Sequence, residues 1–167
     1  IGLNWDPTSK LSGTIKVGYS ITDYYNRNIG TRGFNPNGLA LSIAVLYKLS
    51  RYTQMSLIAQ RSLQEDVDFT TSFGDNSYFN SGFLFTLTRF WHYFDVTSYA
   101  SLGFYNNKYI YNNIDPGTGQ FKSRNDNIIY VGAGLSRPIT HWLRLRLDYL
   151  YENRASNFNF YGFNEHK

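Results

Sequence analysis

The chain has no cysteine, one methionine, four prolines and no long uninterrupted apolar run. Without cysteine there is no disulfide framework and no thiolate metal site. A membrane helix needs a run of ~18 or more apolar residues, and a mean hydropathy of −0.41 with polar residues in every stretch excludes one. A membrane β-barrel escapes that test, because only every second residue of its strands faces lipid. No basic, apolar, small-residue signal segment opens the chain; an exported protein is expected here in mature or shortened form, and the start at Ile1 favours shortening.

Charge is also sparse. Sixteen Lys and Arg against twelve Asp and Glu leave a net +4, scattered rather than gathered into a stripe, which argues against a nucleic-acid partner. The three histidines, His92, His141 and His166, have no metal-ligand spacing with acidic partners. Asp66, Asp68, Asp75 and Asp115 offer oxygen ligands but form no twelve-residue calcium loop, and they read as solvated loop carboxylates. Nucleophile elbows, phosphate-cradling loops and dinucleotide fingerprints are missing, and the VGAGLS segment with Gly132 and Gly134 lies inside an alternating strand. No catalytic set and no cofactor are expected.

What is present is aromatic. Fifteen Tyr, thirteen Phe and three Trp in 167 residues mean that something large is buried. The segment Lys10 to Ile21 places Leu11, Ile15, Val17, Tyr19 and Ile21 on one face of a strand and Ser12, Thr14, Lys16 and Ser20 on the other. Strands of soluble sheets usually run ~5–6 residues, whereas a tilted bilayer-crossing strand needs ~9–11. Seven long segments repeat this period-two pattern: 10–24, 38–50, 53–64, 78–90, 93–108, 125–137 and 141–153. An eighth strand begins near Phe160, and Ile1–Trp5 reads as the tail of an earlier one. Short connections near Asp6–Ser9, Arg51–Tyr52, Trp91–His92 and Pro138–Thr140 alternate with long ones at 25–37, 65–77 and 109–124. Outer-membrane barrels show that asymmetry. The expected fold is therefore all-β: one antiparallel up-and-down transmembrane barrel domain over 1–167, of at least eight strands, cut at both ends and part of a larger barrel.

A weak repeat marks the short turns, Leu49-Ser50-Arg51, Leu87-Thr88-Arg89 and Leu135-Ser136-Arg137, each followed by bulky aromatics. Trp5, Tyr47, Tyr52, Phe90, Trp91, Trp142 and Tyr149 are the expected interfacial girdle, where amphipathic rings and snorkelling Arg side chains sit at the edge of an apolar slab. Lys16, Asp95, Arg144, Arg146, Asp148 and Glu152 fall on polar strand faces and are expected to line a lumen. Two readings of these charges stand: a wall that selects solutes, or an ion-pair network that fills a narrow interior.

Trp5-Asp6-Pro7-Thr8 followed by Ser12-Gly13-Thr14-Ile15-Lys16-Val17-Gly18-Tyr19 resembles a repeated unit of the outer-membrane family called β-barrel porin 2. Trp142 to Tyr149, with Arg154-Ala155-Ser156-Asn157 and Tyr161-Gly162-Phe163-Asn164, is similar to its C-terminal hairpin. The resemblance implies the C-terminal part of a larger barrel associated with exopolysaccharide export. Such barrels close on an aromatic residue, whereas this chain stops at Lys167, so a final strand is expected to be missing. The expected setting is a bacterial outer membrane, with lipid, polysaccharide or small solutes, and a partner chain or further copies as partners. The function expected first is a channel; a plugged barrel with a scaffolding or adhesive role comes second, and a soluble β-sandwich or ligand-binding barrel third.

Overall fold

The computed structural model describes residues 1–21, 37–65, 77–115, 117–158 and 162–166, apart from the side chains at 65 and 111–113. Nine strands follow one another: β1 (Gly2–Thr8), β2 (Leu11–Ile21), β3 (Asn37–Lys48), β4 (Thr53–Glu65), β5 (Ser77–Trp91), β6 (Val96–Ile114), β7 (Phe121–Pro138), β8 (Arg144–Ser156) and β9 (Phe163–His166). They form a single sheet in sequence order, each antiparallel to the next. No helix occurs among the described residues. The all-β, up-and-down expectation of at least eight strands holds. Closure is a different matter: among the described residues β1 pairs only with β2 and β9 only with β8, so the sheet is open.

Alternation fixed the register. Because successive side chains point to opposite faces, a slip of one residue would exchange the two faces of a strand. One row of directly paired residues runs Gly2, Lys16, Ser42, Gln60, Gly82, Tyr105, Ile128, Arg154 across eight strands. The next row runs Leu3, Ile15, Ile43, Ala59, Phe83, Phe104, Ile129 and Asn153. One face of the sheet is thus polar and the other apolar for most of its width.

Three boundaries differ from the sequence reading. The 109–124 connection is mostly strand: β6 runs to Ile114 and β7 starts at Phe121, with a register shift between Lys108 and Asn112. Asn-rich segments carry a weak strand propensity, but this hairpin continues a ladder already formed, and the ladder overrides the propensity. The turn at Asp6–Ser9 is shorter, because β1 continues through Pro7 to Thr8. The ladder skips there between Trp5 and Thr8, as a residue without an N–H requires. The third difference concerns Asp95. It is a turn residue with φ 50°, in the left-handed region that Asp tolerates, and β6 begins after it at Val96. It therefore sits in the β5–β6 turn and not on the polar face of β6, where the alternation places it. The connections at 25–37 and 65–77, with Asp66, Asp68 and Asp75, and the strand start at Phe160 lie largely or wholly outside the described residues.

Candidate functional site

Burial is inverted relative to an ordinary soluble domain. Among the described residues the buried hydrophobic set is Tyr109, Ile128 and Phe158, whereas Ser77, Asn80, Asn107, Asp115, Arg124, Asp126 and Glu152 are buried and polar or charged. On the apolar face Leu39, Phe83, Leu102, Val131, Leu145 and Leu147 are exposed, Leu147 at 70% of its surface. Burial usually removes apolar area from water at ~25 cal/mol per Å²; here the apolar face keeps its area open and the polar face does the packing.

The polar face carries the candidate site. Three hollows lie on it. The first, of about 490 Å³, is walled by Gly2, Lys16, Gly18, Ser42, Gln60 and Ser62 together with Ile1, Val17, Ala40, Leu41 and Arg61. A second, of about 400 Å³, spans β4 to β8 between Gln60, Asn80, Ser101, Tyr105, Tyr130 and Leu150. A third, of about 450 Å³, sits beside Asn4, Asp6, Ser12, Thr14 and Ser56. That residues of β4 and β8 line one hollow shows that the sheet curves toward its polar side.

Bulk differs along this face. From β5 to β8 bulky, mutually engaged side chains border the second hollow: the Tyr105 and Tyr130 rings meet edge to face at 5.4 Å, and Asn80 donates to Asn107 Oδ1 at 2.6 Å. Gly132 and Gly134 face Ser101 and Tyr99, and side chains there would collide with them. The room left by Gly134 lets Tyr99 reach across β7 to donate to Asp148 Oδ1 at 2.5 Å, and Arg146 pairs with the other carboxylate oxygen at 2.5 Å. From β1 to β4 the face is built mostly of small residues, Gly18, Gly38, Ala40, Ser42 and Ala44 among them.

Of the expected lumen residues, Lys16, Arg144, Arg146, Asp148 and Glu152 do share the polar face by register. They are not gathered in one place. Lys16 stands alone on β2, Arg146 and Asp148 pair with each other on β8, and Glu152 lies 3.9 Å from Arg154. Of the expected girdle, Trp5, Tyr47, Tyr52, Phe90, Trp91 and Trp142 cluster at the short-turn ends of their strands. Arg89 lies 4.3 Å over the Trp91 ring, Arg51 lies 6.0 Å over Tyr52, and Tyr52 stacks on His92 at 6.2 Å. Phe90 pairs with Thr97 and so falls on the polar face, opposite to Trp91. Tyr149 is well inside β8, where its hydroxyl meets His166 Nδ1 at 2.7 Å.

The sequence reading missed the most buried charges. Arg124 and Asp126 on β7 close a two-point pair, 2.6 Å and 3.1 Å, which Ser156 completes by donating to Asp126 Oδ1 at 2.6 Å. The Arg124 guanidinium also lies 4.5 Å from the Tyr109 ring centre. The signal is the Arg-Asn-Asp spacing, which puts opposite charges on one strand face, but Arg124 falls within the segment 109–124 that reads from sequence as a connection. At the β6–β7 tip, Asp115 is held by Lys122 at 2.6 Å, the Thr118 hydroxyl at 3.0 Å and the Gly117 N–H at 3.0 Å. Lys122 and those hydrogen bonds hold its carboxyl below the usual carboxylate range. Its oxygens are thus engaged by protein donors.

No group of three or more His, Asp or Glu among the described residues is arranged to hold a metal. The chain matches no protein-family model, no curated protein and no solved structure.

Proposed function

We propose that this chain forms part of the wall of a bacterial outer-membrane β-barrel channel, its apolar face toward lipid and its polar face toward an aqueous lumen. The observation that carries this reading is the inverted burial, with Leu145 and Leu147 exposed and Asp126 enclosed. In lipid every backbone polar group must be satisfied within the protein, which an antiparallel ladder does and a helix-free open loop does not. The dimensions agree. Between Asn127 and Arg137 the apolar face of β7 carries Ile129, Val131, Ala133 and Leu135; the span is ~33 Å of strand, or ~23 Å after a ~45° tilt. Outer-membrane barrels have an apolar band ~25 Å tall. Arg89, Arg137 and Trp91 at one edge, and Asn106 donating to Asn125 and Asn127 at 2.8 Å at the other, are suited to the two interfaces.

The open sheet requires partners for β1 and β9 before it can sit in a bilayer, from residues beyond those described or from another chain. The motif resemblance to the β-barrel porin 2 family favours polysaccharide or small solutes as cargo. Reconstitution of the chain with whatever residues naturally flank it into planar bilayers, with single-channel recording for the parent and for Arg144→Glu with Arg146→Glu, tests the reading. Steady conductance whose ion preference shifts with those substitutions supports it. A protein that stays soluble and monomeric without detergent and ignores bilayers overturns it.

A second reading has its own observation. The Tyr105, Tyr130, Asn80 and Asn107 side chains crowd the polar face from β5 to β8 and narrow it to a hollow of about 400 Å³, and eight-stranded barrels have interiors that side chains can fill. Bilayer insertion without conductance would assign the function to a plugged barrel acting through its loops.

A further inference from the structure

The polar face is not balanced in charge, and the imbalance has a location. Three of its carboxylates are taken by neighbouring cations: Asp126 by Arg124, Asp148 by Arg146 and Glu152 by Arg154. Lys16, Lys48 and Arg144 on the same face have no ion pair among the described residues; of the carboxylates there, Asp6 is likewise without one, and Glu165 lies across from Glu152 at the far end of the sheet on β9. Asp6 lies in a separate hollow, beside Asn4, Ser12 and Thr14. Lys48 and Arg144 are at strand ends, next to short turns. Lys16 is the one placed mid-strand, and the hollow that it lines has no Asp or Glu in its wall.

The neighbours of Lys16 leave it accessible and supply donors. Its direct partner on β1 is Gly2, its direct partner on β3 is Ser42, and the next residue in the row is Gln60. A Cβ at Gly18, the next residue on the same face of β2, would meet nothing within 4 Å. A hydroxyl, an ammonium and a side-chain amide that also donates to Asn80 Oδ1 at 3.5 Å therefore border about 490 Å³ of open space, alongside Arg61 and the apolar residues Ile1, Val17 and Leu41. An ammonium is a compact charge with three donors, and hydroxyl and amide N–H groups add hydrogen bonds to an oxyanion without cancelling its charge. Fixed cations along a pore favour anions over cations.

The geometry points to an anion subsite at Lys16, with Ser42 and Gln60 as co-donors, that makes this wall selective for small oxyanions such as phosphate. The inference deepens the channel reading and rests on it. Lys16 is a binding residue here; Ser42 and Gln60 position the anion beside it.

The test uses the full chain in planar bilayers of neutral lipid, under a potassium chloride gradient, with inorganic phosphate then added to both sides. The parent should show a reversal potential of the sign for anion preference, and phosphate should reduce its chloride current. Lys16→Gln should bring the preference toward unity and weaken the phosphate block several-fold; Lys16→Glu should invert the preference, and Lys16→Arg should keep it. Retained bilayer insertion and strand content in each variant show that the fold survives. A cation-preferring parent, or an anion preference and phosphate block unchanged in Lys16→Gln, overturns the subsite and leaves the channel reading standing. Insertion of the parent without current overturns the channel reading and the subsite with it.

Discussion

Arg124 and Asp126 lie two residues apart on one face of β7, and their side chains close on each other with the carboxylate fully enclosed. A buried pair is weak evidence for net stability, yet removing one member leaves an unpaired charge and costs about 3–5 kcal/mol. Asp126→Ala should therefore lower the urea midpoint of the refolded protein strongly. The double variant Arg124→Met with Asp126→Leu should recover most of that loss. Equal losses in the single and double variants would show that the packing of the two side chains, not their charge, is what matters.

The apolar face offers a direct test of the membrane setting. An Arg on the lipid face of a barrel costs about 2–4 kcal/mol at the bilayer midplane and about 0–1 near the interfaces. Val131→Arg should accordingly impair refolding into phospholipid vesicles far more than Asn127→Arg on the same strand face. Equal effects, measured by urea titration in vesicles, would count against a lipid-facing band.

Glycine positions on the polar face separate into tight and open ones. A Cβ at Gly82 would collide with the backbone carbonyl of Phe104, while one at Gly18 would touch nothing within 4 Å. Overpacking typically costs about 1–3 kcal/mol. Gly82→Ala should be destabilising on that scale and Gly18→Ala within experimental error of the parent, as read from the unfolding midpoint.

The tip of the β6–β7 hairpin should respond to acid. The Asp115 carboxyl, kept low by Lys122 and by the Thr118 and Gly117 donors, has a folded pKa below its unfolded value. Its contribution is then complete above the usual carboxylate range and is lost as pH falls through the lowered pKa, that is, below about pH 4. Exchange protection of the Gly117 amide, which donates to this carboxylate, should fall in that window. In Asp115→Asn the acid-dependent step should disappear.

Much of the fold could be read from the chain, for physical reasons that particular residues illustrate. Period two is unmistakable in Leu143, Leu145 and Leu147 against Arg144 and Arg146, and it placed those side chains on the faces the structure gives them. The same alternation put Lys16 with Arg144, Arg146, Asp148 and Glu152 on one face, although it says nothing of the five strands that separate β2 from β8. What was illegible depended on tertiary context. Asn112 and Asn113 look like loop residues but are held in β6 by pairing with Ser123 and Lys122. Asp95 continued the alternation on paper and in space turns the chain. The reach of Tyr99 to Asp148 depends on the absence of a side chain at Gly134, a three-strand relationship that no single-strand pattern contains.

In the ladder, every strand is bonded only to its predecessor and successor in the chain. Loop-closure entropy rises with the separation of the residues brought together, so hairpins joined by short turns zip at low entropic cost. Such an arrangement is modular: a two-strand unit can be added or removed while the remaining strands keep their alignment, and only the width of the sheet changes. The recurring Leu-Ser-Arg and Leu-Thr-Arg triplets at Leu49, Leu87 and Leu135 lie at or just before the short turns inside those units.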